Sequence, residues 1–178
     1  PTLPSRVTSL TMMGGAYSCR GNVSFSAEFN VETDPEAAHA VLERFPMTTM
    51  VPWELFDMTL SWATFDSIFR SETASPLARW YCQVMGKLES CTRHVIHSAA
   101  EGSLGCYLCD AIAMMAAISP NSVLQSDTLF CSVELTGEHS RGATLFDWRH
   151  TSKYTPNVRL VTHMDKAAYV NAIRLTFK

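Results

Sequence analysis

Short apolar runs that read as strands alternate along this chain with stretches of helical spacing, and that alternation constrains the fold most. Val7 to Met13 is an apolar run ending at Gly14-Gly15, the pattern of a buried strand entering a glycine loop. Asp34-Pro35-Glu36-Ala37-Ala38 is a helix start. Asp34 can cap the free N–H groups, Pro35 suits the first turn, and Glu36 complements the positive helix end. The helix runs to about Arg44, with Ala38, Val41 and Leu42 as its apolar positions. Met47 to Val51 is a second strand, stopped by Pro52. Helices are predicted around Ala63 to Arg70, Pro76 to Leu88 and Tyr107 to Ile118. The last is apolar nearly all round, so it is expected to be buried, and Ser119-Pro120 closes it. Thr128 to Leu135, Ala143 to Trp148 and Val158 to His163 read as strands, and Lys166 to Leu175 as a final amphipathic helix. The pattern predicts an α/β fold with a largely parallel, Rossmann-like sheet. No linker or repeat divides the 178 residues, so one domain, or part of one, is expected.

Composition narrows the function classes. A hydrophobic content of 47% supplies a core for a chain of this length. The net charge of -3, with Lys and Arg scattered, leaves no electrostatic footprint for nucleic acid. The longest apolar run, Ala111 to Ile118, is far too short to span a bilayer, so a membrane is not expected as a partner either. Six cysteines are too sparse for a disulfide scaffold and fit a reducing, cytoplasmic setting. The chain opens Pro1-Thr2-Leu3 without Met, so the lack of a leader carries no information.

Two segments carry candidate chemistry. Met13-Gly14-Gly15, Gly21-Asn22-Val23 and Ala27-Glu28-Phe29-Asn30 place two amides and a carboxylate in a glycine-rich loop beyond a strand's C-terminal end. Ligands of open α/β sheets collect at that edge. Amide and carboxylate together can donate to and accept from vicinal hydroxyls, which suits a sugar. Loop Asn and Gly are also ordinary turn formers, and taken alone that is the simpler reading.

The second segment is Cys106-Tyr107-Leu108-Cys109-Asp110-Ala111-Ile112-Ala113. A carboxylate at the mouth of an apolar helix needs a partner, because an unpaired buried charge is costly. A metal ion or a helix-capping role would each satisfy Asp110. The Cys106-x-x-Cys109 spacing permits zinc or redox chemistry, although no second pair stands at ligand spacing. Cys82, Cys91 and Cys131 read as small buried hydrophobes. His94 and His97 could share a helix face, as a weak metal pair or a surface pair. The nine Met and nine Phe read as core, with a lining for a flat base as the alternative.

Taken in order, these segments resemble the inosine-uridine preferring nucleoside hydrolase family across almost the whole chain. Met13-Gly14-Gly15, Gly21-Asn22-Val23, Ala27-Glu28-Phe29-Asn30 and Asp34-Pro35-Glu36-Ala37-Ala38 are similar to the family's central block. Cys109-Asp110-Ala111-Ile112-Ala113 resembles its histidine-aspartate helix start. Val133-Glu134-Leu135-Thr136-Gly137, Arg141-Gly142 and Asp147-Trp148 resemble its C-terminal strands. The resemblance implies the C-terminal half of an enzyme that cleaves the N-glycosidic bond of ribonucleosides. It implies that Asn22, Glu28 and Asn30 hold the ribose hydroxyls, with Met13 near the sugar. It further implies that Asp110 is one carboxylate ligand of a calcium ion, and that the complete protein is a homo-oligomer.

Two departures from the family pattern stand out. The aspartate cluster Asp-x-Asp-x-x-x-Asp-Asp, which supplies the other metal ligands and the general base, is absent from these 178 residues. The chain alone is therefore expected to be inactive, and its sheet incomplete. The family's common histidine before the helix aspartate is here Cys109, a substitution some branches carry, which makes Cys109 either the candidate leaving-group acid or a residue that merely fills space beside Asp110. A non-catalytic ribose-binding or interaction protein is the competing expectation.

Overall fold

The computed structural model describes residues 3–45, 47–95, 105–151 and 153–178, with side chains described outside 87–95. In chain order, the first elements are β1 (Leu10–Met13), α1 (Phe29–Thr33), α2 (Pro35–Arg44) and β2 (Thr48–Val51). Then come β3 (Leu60–Ser61), α3 (Trp62–Phe69), α4 (Pro76–Val95) and β4 (Gly105–Cys106). The chain continues through α5 (Cys109–Ile118), β5 (Val123–Leu129), β6 (Cys131–Val133) and β7 (Thr144–Phe146). It ends with β8 (Val158–Met164) and α6 (Lys166–Thr176).

These elements form two compact units. The first comprises Pro1–Leu55 and Cys109–Met164, and the second Phe56–Leu108 and Asp165–Lys178. The first unit holds a four-stranded sheet in the order β1-β2-β8-β5. β1, β2 and β8 run parallel, with Leu10 opposite Thr48 and Thr48 opposite Val158. β5 joins antiparallel, Leu129 opposite Val158. The mixed α/β class with a mostly parallel sheet therefore stands as the alternation of patterns implied. Met50, Val158 and Leu160 on the two inner strands pack with Val31, Leu42, Leu129, Cys131 and Val133 to form its core. α2 begins where Asp34 accepts the Ala37 N–H at 2.9 Å, as the Asp-Pro signal requires. α5 lies against β1 and β2.

Four expectations need correction. The single strand predicted over Thr128 to Leu135 is two strands, broken at Phe130, where β5 leaves β8 and β6 takes up β7. The Asn157 amide makes that break possible. It accepts from the Cys131 N–H at 2.8 Å and donates to the carbonyls of Cys131 at 2.9 Å and Leu42 at 3.0 Å, replacing the lost ladder bonds. The last apolar helix starts at Cys109 rather than Tyr107 and is buried on one side only. Ile112, Ala113, Met115 and Ala116 face inward, whereas Met114 and Ile118 are 59% and 71% exposed. Phe29 and Asn30, placed in a loop, begin the helical turn α1, and α4, expected to end near Leu88, runs on to Val95.

In the second unit, β3 and β4 pair antiparallel. Its core is aromatic: Phe69 stacks on Tyr81 at 5.0 Å and meets Phe177 edge-on at 4.8 Å. Asp165 caps α6 by accepting from Ala168 N at 2.9 Å. No helix among the described residues is long and apolar enough to cross a membrane. His97 and the side chains of Cys91 and His94 lie outside the described residues.

Candidate functional site

The candidate residues of the glycine loop gather at the C-terminal end of β1, and backbone hydrogen bonding is what brings them there. Gly14 N donates to Val51 O at 3.1 Å, extending the parallel ladder by one step, and Trp53 N then donates to Gly15 O at 2.9 Å. Gly15 has φ +82°, where an added Cβ would come within 3.0 Å of Thr144 Oγ1 and 3.1 Å of Met50 Sδ. Both conformation and space thus demand glycine at this turn.

Glu28 is the anchor of the loop. It is only 2% exposed. Its Oε2 accepts from Gly15 N at 3.1 Å, Asn30 N at 3.0 Å and Val31 N at 3.4 Å. One oxygen therefore caps α1 and ties it back to the end of β1, and a buried charge is offset by N–H donors. Asn22 Oδ1 accepts from Phe29 N at 2.9 Å, which closes the loop from the other side. Asn30 Nδ2 donates to Met13 O at 3.3 Å and Sδ at 3.2 Å, so these two candidates touch. Asn22 Nδ2, Glu28 Oε1 and Asn30 Oδ1 have no hydrogen-bond partner among the described residues. Phe29, which sequence reasoning passed over, is 57% exposed between Glu28 and Asn30. An apolar residue between two polar candidates was the available signal.

Cys109 and Asp110 open α5, the helix packed on β1. Burial pushes the half-buried Cys109 thiol up, and the neighbouring Asp110 charge pushes it further. N–H donation from Asp110 and Cys109 opposes this, and the Glu28 carboxylate adds a smaller upward push. The thiol there is neutral at neutral pH. Asp110 is exposed, contrary to the expectation of a buried carboxylate in need of a partner. Water solvates it at the helix mouth, so no desolvation penalty arises.

A family model for the inosine-uridine preferring nucleoside hydrolase matches residues 1–171. The inosine-uridine preferring nucleoside hydrolase of Crithidia fasciculata is 30% identical over 84% of this chain and 45% of its own length. That of Leishmania major is 29% identical over 93% of this chain and 50% of its own. The chain belongs to the inosine-uridine preferring nucleoside hydrolase family. A solved inosine-guanosine nucleoside hydrolase superposes with a TM-score of 0.80 at 28% identity, covering 93% of this chain and 51% of that one. The chain thus spans about half the length of the nucleoside hydrolases it matches.

All three stretches that resemble nucleoside hydrolases, at 13–38, 109–113 and 133–148, fall in the first compact unit. The calcium that the family resemblance implies fares differently. Among the described residues no group of three or more His, Cys, Asp or Glu side chains could hold a metal. Glu28 Oε2 is taken up by backbone donors, and Asp110 is a lone carboxylate. A calcium ion takes about six to eight oxygens. The residues of this chain by themselves do not make that set, nor do Cys106 and Cys109 have a third ligand among the described residues for zinc.

Proposed function

We propose that the protein carrying this chain hydrolyses the N-glycosidic bond of ribonucleosides, giving free base and ribose. The observation that supports this best is the convergence of Met13, Asn22, Glu28 and Asn30 at the C-terminal end of β1, the strand against which the helix carrying Cys109 and Asp110 packs. In this reading Asn22 Nδ2 and Asn30 Oδ1 face ribose hydroxyls, Glu28 Oε1 accepts from one, and Met13 packs against the sugar. Phe29 offers an apolar surface to the base. Water forms a bond to the anomeric carbon as the bond to the base nitrogen breaks; the departing base takes up a proton, and the proton released by the water restores the group that donated it. Cys109, held neutral, is the candidate donor of that proton.

Asp110 would give one carboxylate oxygen to a calcium ion, which would polarise the attacking water, with the remaining ligands supplied from outside these 178 residues. The chain is the C-terminal portion of a single nucleoside hydrolase domain, and alone it is inactive. Calorimetry on the isolated chain should accordingly detect no tight stoichiometric calcium binding. The complete protein works in nucleoside salvage in the cytoplasm, as a homo-oligomer. The test is release of base from inosine and uridine by the complete protein, followed chromatographically. Release from both ribonucleosides, and much less from 2'-deoxyinosine, is expected. Ribose binding without base release would favour a non-catalytic ribose-binding protein instead.

A further inference from the structure

The β6–β7 hairpin and its connection carry a sequence block, Val133 to Gly137 with Arg141-Gly142, that the proposed chemistry does not use. Its placement is informative. Thr144, 1% exposed, accepts the Ala16 N–H at 2.9 Å and donates to the Ala16 carbonyl at 3.1 Å through the same hydroxyl. Ala16 follows Gly15, whose N–H is held by Glu28. Gly142, at φ +83°, sits so close that a Cβ would lie 3.1 Å from both Ala27 Cβ and Glu32 Cα. The His139 carbonyl accepts from Ser26 Oγ at 3.2 Å, and its ring meets Phe25 edge-on at 5.8 Å. Arg141 Nη2 donates to both carboxylate oxygens of Glu36 at 2.8 Å. The hairpin thus touches the glycine loop near its start, near its end, and along the two helices that follow.

We propose that the β6–β7 hairpin is the brace that sets the sugar-binding loop, with Thr144 as its positioning residue. The inference rests on the ribonucleoside reading above. Thr144 touches no substrate. It fixes Ala16 on both its donor and its acceptor, which fixes the direction of the Gly15 N–H and, through Glu28, the start of α1 and Asn30. The remaining contacts hold the loop at points where a hydroxyl-binding geometry would otherwise drift. Bulk solvent cannot substitute, because Ala16 is buried. Removing the hydroxyl leaves two backbone groups unpaired there, and the loop must move to satisfy them.

The complete enzyme carrying Thr144→Val, Thr144→Ser and Gly142→Ala tests this, with inosine and uridine as substrates. Valine keeps the shape of Thr144 and loses the hydroxyl; serine keeps the hydroxyl. Thr144→Val should raise KM for both nucleosides by the same factor, on the order of ten- to a hundredfold, the scale of losing one or two hydrogen bonds to the ribose. Thr144→Ser should keep the wild-type KM. Gly142→Ala, which wedges the hairpin off Ala27 and Glu32, should reproduce the rise in KM. If Thr144→Val does not fold, the Gly142→Ala and Thr144→Ser pair carries the comparison. A folded Thr144→Val or Gly142→Ala enzyme with unchanged KM, and only a lowered melting temperature, would overturn the proposal. Failure of the wild-type enzyme to hydrolyse either nucleoside would instead overturn the ribonucleoside reading, and this inference with it.

Discussion

Replacing Glu28 by Ala should destabilise the protein even with no substrate present. The carboxylate Oε2 is the shared acceptor for the N–H groups of Gly15, Asn30 and Val31. Losing a helix N-cap costs about 1 kcal/mol. The buried Gly15 N–H, left without a partner, adds about 2 kcal/mol. The unfolding free energy from urea titration should therefore fall by about 3 kcal/mol. Glu28→Gln should lose about 1 kcal/mol, because an amide oxygen still accepts but without the charge that roughly doubles such bonds. A purely substrate-facing carboxylate behaves differently: its removal leaves no backbone group stranded. An alanine variant within about 0.5 kcal/mol of wild type, the range of an inconsequential surface change, would refute the anchoring role.

Two other predictions concern thiols. In the complete enzyme, Cys109→Ala should slow hydrolysis of inosine by about a hundredfold or more, the scale of general acid catalysis, and leave a nitrophenyl riboside nearly unaffected. Equal rate losses on both substrates would remove Cys109 from the proton-donor role. Burial pushes the Cys131 thiol from the usual 9.0 up to about 12. Above the ordinary thiol range the unfolded chain loses that proton while the folded chain keeps it, so stability should fall as pH rises from about 9 towards about 12. Urea midpoints measured across that window should flatten in Cys131→Val, and an identical slope in the variant would contradict the assignment.

The parts of this fold legible in the sequence are those fixed by local chemistry. Asp34 and Pro35 announce α2 because a cap and a missing N–H act within one turn. The apolar runs of β1, β2 and β8 announce a parallel sheet because such strands are covered on both faces. What escaped is set by distant partners. The break at Phe130 depends on Asn157, and the polar β5 segment at 125–127 is a strand only because it pairs with β8 at the sheet edge. Within the site, Asn22, Glu28 and Asn30 stood out as residue types suited to a sugar. The engagement of Glu28 Oε2 with backbone donors was not legible, because it depends on a one-turn helix too short to leave a periodic signal. Thr144 was hidden in the same way, by the sequence distance separating it from Ala16.

The most direct measurement of the central claim uses Asn30, whose amide leans on Met13 at the end of β1. If this loop reads ribose hydroxyls, Asn30→Ala in the complete enzyme should lower kcat/KM for inosine and for uridine by the same factor. Loss of one such contact is worth on the order of tenfold. A loss confined to one base, or none for either, would contradict the assignment of this loop to the sugar.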